Sequence, residues 1–238
     1  MPGMCGRFVQ SSEPEVYAEL FGVHRIVAER VAPSYNVAPT DAVYAVAEHD
    51  GERLLGSFRW GLIPFWVKDR RIAARNINAR AETVATKPAF RESLARRRCV
   101  IPADGFYEWQ LLGESEDRPR RKLPHHIHRR DGRPLALAGL WAAWRDPETA
   151  ERVTSCTILT TTPNDLMAPI HDRMPVVLDR PGWDAWLDGD HDDVEALRDS
   201  LRPVPSAELA RHPVSTLVNR VANNVPECAA PLTTPPAT

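Results

Sequence analysis

Twenty-two prolines run through this 238-residue chain, and they restrict its fold more than any other feature. Proline fixes φ, carries no amide N–H and stops helices, so a chain punctuated this densely is confined to short elements. What lies between the prolines is mostly β-rich. Ala42–Ala47 and Arg53–Trp60 read as strands joined by the polar turn His49-Asp50-Gly51-Glu52, and Cys99–Ile101, Gly105–Gln110, Pro124–His128, Ala136–Trp144 and Val153–Thr161 read as further strands. Short helices are expected at Glu13–Leu20, Pro88–Arg98, Asp184–Leu187 and Val194–Leu201, and Leu111–Lys122 reads as a charged loop. Arg96, Arg97 and Arg98 would complement the negative end of the second helix.

No strand–helix alternation and no Gly-rich phosphate turn appears, which excludes a doubly wound nucleotide fold. The expected fold is a single α+β domain, with mostly antiparallel curved sheets forming an open β-barrel-like core and helices at its periphery. Residues 5–228 would form that domain, residues 1–4 a leader or misassigned start, and residues 229–238 a loose Pro/Thr/Ala-rich tail. With 43% hydrophobic and 26% charged residues the chain has the balance of a globular protein rather than a disordered or fibrous one. No apolar run is long enough for a membrane span and the start lacks a secretory layout, so a cytoplasmic protein with free thiols is expected.

Net charge is −2, but its sign is segregated. Residues 59–130 carry 17 Lys/Arg against 8 Asp/Glu, and the remainder 13 against 24. A basic middle third can make a phosphate-attracting face on a neutral protein.

Four cysteines, at positions 5, 99, 156 and 228, match no zinc spacing. Cys99 and Cys156 lie in apolar strands, where cysteine acts as a small hydrophobe. Cys5 differs, because it follows Met4. As a first residue it would carry a thiol and a free α-amine together. An α-amine has a reference pKa of roughly 7.7–8.0, so part of it is neutral and nucleophilic near pH 7. It can form a Schiff base with an aldehyde, and the adjoining thiol can then close a five-membered thiazolidine.

Three other clusters carry chemistry. Asp104-Gly105-Phe106-Tyr107-Glu108-Trp109 sets a carboxylate between aromatics, which suits either a solvated strand residue or a proton donor with a raised pKa. Ile170-His171-Asp172-Arg173-Met174-Pro175 offers either a turn histidine or a group titrating near neutrality. Asn76–Thr83 holds two amides, a guanidinium and a carboxylate. His125, His126 and His128 look like a metal tract, but no companion ligand spacing supports one, and no metal or other cofactor is expected. Phe65 and Trp66, beside Lys68, Arg70 and Arg71, offer what an unstacked base and its phosphate need; Trp60 is equally suited to the core.

Taken together, seven motifs in order resemble the SOS-response-associated peptidase (SRAP) family, whose members sense abasic sites in single-stranded DNA. They are Met4–Phe8, Tyr35–Pro39, Trp60–Pro64, Ile77–Thr83, Asp104–Trp109, Ile170–Pro175 and His212–Ser215. The resemblance implies an open barrel-like α+β domain with a basic groove, and covalent capture of an abasic site by an N-terminal cysteine. It gives Cys5 as nucleophile, Asn78 as the residue positioning it, Glu108 as general acid/base, and His171 as a phosphate contact that assists proton transfer and strand cleavage. Arg7, Arg80 and Arg173 would hold phosphates, Phe65 and Trp66 would wedge or stack at the lesion, and Asn36 and Ser215 would lie on the DNA-binding side. It further implies a monomer that meets DNA at the nucleoid, near replication-fork proteins. One departure stands out: Met1-Pro2-Gly3 precede Met4, so translation would start at Met4 or the leader would be cut away by the protein itself. Two rivals use the same residues: an N-terminal-nucleophile thiol peptidase acting in trans, and a non-catalytic single-strand-binding module.

Overall fold

The computed structural model describes residues 5–113, 121–191 and 193–233. The strands are β1 Phe8–Gln10, β2 Arg25–Ile26, β3 Ser34–Val37, β4 Ala42–His49, β5 Glu52–Trp60, β6 Asn78–Arg80, β7 Arg98–Ala103, β8 Gly105–Leu112, β9 Arg121–Arg129, β10 Leu135–Arg145, β11 Arg152–Thr161, β12 Met174–Pro175, β13 Val177–Leu178 and β14 Leu209–Pro213. The helices are α1 Pro14–Phe21, α2 Arg91–Arg96, α3 Arg180–Leu187 and α4 Val194–Asp199.

Five strands close a barrel. β4 pairs antiparallel with β5 and β7, β7 with β10 and β10 with β11; the parallel contact of Ser155 with Arg59 and Cys156 with Trp60 joins β11 back to β5. The barrel-like core expected from sequence is therefore a closed ring. A second sheet, in the order β14-β9-β8-β1-β3, packs against it. Phe8, Phe106 and Ile127 of that sheet meet Val43, Ala45, Ile101 and Ile158 of the barrel strands. The alternate residues Tyr44, Val46, Val100 and Ala138 pack with Tyr17, Phe21, Leu94, Trp183 and Trp186 of the helices. Strands buried on both faces read as apolar runs, which is why they are conspicuous in the sequence.

Local chemistry sets the boundaries. Pro14 opens α1, and Gly22, at φ +62°, ends it in the left-handed conformation that glycine adopts without strain. The β4–β5 turn is two residues long rather than four: Asp50 and Gly51 both have positive φ, matching the twist of the flanking strands. The helix expected over Pro88–Arg98 is shorter, because Arg98 leaves it to begin β7. The charged loop expected at Leu111–Lys122 is partly strand, at residues 111–112 and 121–122; its middle, 114–120, lies outside the described residues, as do the leader residues 1–4 and the tail beyond residue 233. Among the described residues, no helix is long and apolar enough to cross a membrane.

Candidate active site

Cys5 and Glu108 are 103 residues apart, and the second sheet brings them together. β1 pairs antiparallel with β8, Phe8 opposite Phe106, and Tyr107 N–H donates to Arg7 O. This lays the chain just before β1 along the Glu108 side of β8. The Cys5 main-chain nitrogen donates to Glu108 Oε1 at 2.6 Å. Asn78, on β6, donates from Nδ2 to Cys5 O at 3.4 Å. β6 is fixed there by parallel pairing to β11, Asn78 opposite Ile158. Two residues of two other motifs, Glu108 and Asn78, thus grip the two ends of Cys5.

The electrostatics follow from burial. Glu108 is only 2% exposed, and desolvation, followed by the nearby negative charge of Asp172, raises its carboxyl to about 7 against the pull of the Cys5 and Trp109 amides and Lys122. The group therefore holds and releases a proton near neutrality. Cys5 is 1% exposed; burial first, and Glu108 second, push its thiol well above the ordinary value, so the sulfur is protonated at rest. Cys5 also has φ of +36°, a left-handed conformation that non-glycine residues rarely take. Directly opposite Glu108 on β9 lies buried His125, whose Nε2 meets Gln110 Oε1 at 3.0 Å. Desolvation holds His125 down at about 4, so it faces the carboxyl group as a neutral imidazole.

A cleft of about 730 Å³ opens beside this pair, lined by Gly6, Arg7, Glu108, Trp109, Lys122 and His171 among others. His171 contributes from the loop before β12. Its Nδ1 accepts from Arg173 N–H at 3.1 Å and lies 3.0 Å from Asp172 Oδ1. Only one of those contacts can be a hydrogen bond at a time: the first needs a bare Nδ1 and the second an Nδ1–H. Arg7 reaches from Gly6's neighbour into the wall, where Nη1 donates to Asn36 Oδ1 and Val218 O.

The other expected site residues fall into two groups. Phe65 and Trp66 are 56% and 57% exposed, unusually so for their size, and Trp66 lines a second hollow of about 760 Å³ with Lys68, Arg71 and Arg75. Asn76 lines that hollow and Ile77, the next residue, lines the cleft. Arg80 is exposed at the end of β6. Asn36, Arg173 and Ser215 have internal duties. Buried Asn36 donates to the carbonyls of Val218, Arg220 and Asn223; Arg173 forks onto Glu82 and donates to Thr160 O; Ser215 accepts from Leu217 N–H. Trp60 belongs to the core, fully buried and edge-on to Phe8 at 5.0 Å. Cys99 and Cys156 are likewise buried in the core, as expected. Trp109, Lys122 and Asn219 were not singled out from sequence; only Trp109 carried a signal, as the aromatic neighbour of Glu108, whose Nε1–H donates to Asn219 Oδ1.

The fold and this pair define the class: an α+β barrel protein in which a buried cysteine's main-chain nitrogen rests on a carboxyl group of near-neutral pKa beside an open cleft. The particular family is shown by comparison: residues 4–221 match the family model described as SOS response associated peptidase (SRAP), and the chain belongs to that family. It is 42% identical over 225 residues to the Bacillus subtilis abasic site processing protein YoqW, covering 94% of this chain and 98% of that relative. It is 36% identical to the Xenopus tropicalis abasic site processing protein HMCES, covering 85% of this chain and 67% of that relative. A crystal structure of a Bacteroides thetaiotaomicron protein superposes with a TM-score of 0.84 at 25% identity, covering 96% of this chain and all of the other.

Proposed function

We propose that this protein captures abasic sites in single-stranded DNA covalently, through the α-amine and thiol of Cys5 when that residue heads the chain. The 2.6 Å contact between the Cys5 nitrogen and Glu108 carries the reading, and the names of the relatives support the substrate class. The α-amine attacks C1′ of the ring-opened deoxyribose, and the carbinolamine loses water to give an imine. Sulfur then adds to the imine carbon while the thiol proton passes to nitrogen, closing a thiazolidine with net loss of one water. Glu108 takes the amine proton and returns it to the departing oxygen, and Asn78 holds the Cys5 carbonyl. Ring closure needs no further reactant, so proximity favours it over hydrolysis of the imine.

The strand would run from the Trp66 hollow to the cleft, with Arg7, Arg80 and Lys122 on its phosphates and exposed Phe65 and Trp66 against bases beside the lesion. Asn36 and Arg173 act by holding Arg7 and the His171 loop in place, and Ser215 by shaping the neighbouring wall. His171 contacts a phosphate and serves a side reaction, taking a C2′ proton from the imine so that the C3′–O bond breaks. The same Glu108 proton serves release of residues 1–4: water adds to the carbonyl of residue 4, the peptide bond breaks, and the Cys5 nitrogen takes the proton. The working unit is a monomer of residues 5–228, acting at the nucleoid where replication exposes single strands.

The test is to incubate the chain beginning at Cys5 with single-stranded DNA bearing one abasic site. An adduct should survive denaturation and weigh one water less than protein plus DNA, and an intact strand should give none. Turnover of peptides without an adduct would support the thiol-peptidase reading instead. Equal non-covalent affinity for both strands would support a plain binding module.

Glu108→Gln should slow capture by about 10²-fold or more, the usual worth of a positioned proton-transfer group. The sign of the pH dependence follows from the raised carboxyl. Burial holds it at about 7 beside the Cys5 amide, and the charged α-amine of a chain beginning at Cys5 pulls it lower; it can take the amine proton only once ionised. Single-turnover rates should therefore rise with pH through an inflection at or below about 7. In the variant that inflection should vanish, leaving only the titration of the amine at roughly 8.

A further inference from the structure

Away from the cleft, three imidazoles converge on the outer face of the second sheet. His126 and His128 share one face of β9, being two residues apart, and His212 on β14 stands directly opposite His126. The three ring centroids are 5.3, 5.3 and 5.4 Å apart, and each ring offers a nitrogen within 4.8 Å of one in both others. We propose that His126, His128 and His212 form a binding site for a borderline divalent transition-metal ion, zinc in kind, with a fourth position left for water.

Three observations support this. His126 is 8% exposed, and neither of its ring nitrogens has a hydrogen-bond partner among the described residues. Buried polar atoms are nearly always satisfied, so two on one ring need an explanation. The other two rings are already oriented as ligands are. His128 Nδ1 and His212 Nε2 each lie 2.8 Å from a backbone carbonyl, of Arg129 and Ala229 respectively. A carbonyl only accepts, so those nitrogens carry the protons. The remaining nitrogens, Nε2 of His128 and Nδ1 of His212, keep their lone pairs. Ligating histidines characteristically donate their second N–H in this way, which fixes tautomer and ring angle. Third, the sheet leaves room for the cluster: a Cβ on Gly105 of β8 would fall on His126 Nε2 and within 2.7 Å of Ile127 O.

The donor set selects the metal. Three neutral imidazoles suit zinc, cobalt, nickel or copper, whereas magnesium and calcium require oxygens. Tetrahedral zinc with bonds of about 2.0–2.1 Å would draw the three nitrogens to roughly 3.4 Å, a small adjustment for the half-buried rings of His128 and His212. His212 lies 84 residues beyond His128, so the histidine tract alone showed no third ligand at recognisable spacing; the β9–β14 pairing supplies it. The ion would rivet β14 to the sheet. The chain leaving β14 supplies Val218 O to Arg7 and Asn219 to Trp109, so a riveted β14 steadies one wall of the cleft.

The test uses the tag-free full chain, stripped with a chelator, in a Cys5→Ser background so that no aminothiol competes. Titrated cobalt(II) should bind at one ion per chain, with ligand-field absorption and no sulfur charge-transfer band, and zinc should displace it. His128→Gln and His212→Gln should each weaken binding by about 100-fold or more, beyond the 10–100-fold cost of losing a merely supporting contact. His125→Gln, on the opposite face, should leave it unchanged. Should either ligand variant fail to fold, the imidazole nitrogen resonances of the unsubstituted chain decide. Zinc should move those of His126, His128 and His212 and leave the other five histidines in place. Absence of stoichiometric binding, retention of it in the ligand variants, or shifts confined to other histidines would overturn the proposal.

Discussion

Replacing Cys5 with alanine should abolish the denaturation-resistant adduct while leaving an imine that borohydride can trap. The two outcomes separate the two halves of the residue. Alanine keeps the α-amine and its place against Glu108, 2.6 Å away in the unsubstituted chain, so attack on the aldehyde and loss of water still occur. What it lacks is the sulfur three bonds from the imine nitrogen, the spacing that closes a five-membered ring. Well-oriented intramolecular partners act at effective molarities of roughly 10⁵–10⁸ M, so the missing ring closure leaves hydrolysis as the dominant fate. The yield of adduct surviving heat and detergent should fall by at least about 10²-fold, with the borohydride-trapped product close to that of the unsubstituted protein. Blocking the amine by acetylation should remove both products. An undiminished heat-stable adduct in Cys5→Ala would move the chemistry to another amine, of which Lys122 on the cleft wall is the nearest candidate.

The parts of this arrangement were unequally visible in the sequence. Strands such as β4 and β10 were legible because both faces are buried, and their apolar runs extend the expected Ala42–Ala47 and Ala136–Trp144 by only a residue or two. Ring closure was not, since it rests on a two-residue parallel contact between β5 and β11 that leaves no mark in either strand. Cys5, Asn78 and Glu108 each belonged to a recognisable motif, but their contact depends on β1 lying against β8 and β6 against β11. Asn219 gave no signal, because an amide in an irregular segment acquires its meaning only from the tryptophan it meets. Charge misled in a different way. The basic middle third counts Arg98, Arg129 and Arg130 among its cations, yet Arg98 is buried, Arg129 pairs with Asp131 and Glu208, and Arg130 binds the carbonyls of Ala207 and Leu209. Arg71 is likewise paired, with Asp69, so the charge left for a ligand lies at Lys68 and Arg75 and at Arg7 and Lys122.

Arg98→Met should destabilise the fold by about 3–5 kcal/mol, because it leaves several carbonyls without a donor at roughly 1–3 kcal/mol for each that water does not reach. The residue was expected at the end of a helix, where a cation complements the dipole, and it does serve α2 there: Nη1 donates to Leu94 O and Ala95 O. Its larger role lies across the domain. Nε donates to Trp186 O at 2.7 Å, and Nη2 to Asp188 O and His191 O, so one guanidinium satisfies carbonyls at the ends of α2 and α3 together. It also sits 6.0 Å from the Trp186 ring centre. Methionine fills the space of the stem but offers none of the five hydrogen bonds, and at 5% exposure little water can replace them. For a chain of this size each kcal/mol is worth about 2–4 °C, so the melting temperature should fall by roughly 10 °C. Lysine should recover only part of the loss, because a compact ammonium cannot span carbonyls that a planar fork reaches on two sides. Arg98 lies in the barrel–helix layer, away from the Cys5–Glu108 pair, so adduct formation below the new melting temperature should keep the unsubstituted rate. A melting temperature within 2 °C of the unsubstituted protein, by calorimetry, would show that the two helix ends are held by packing alone.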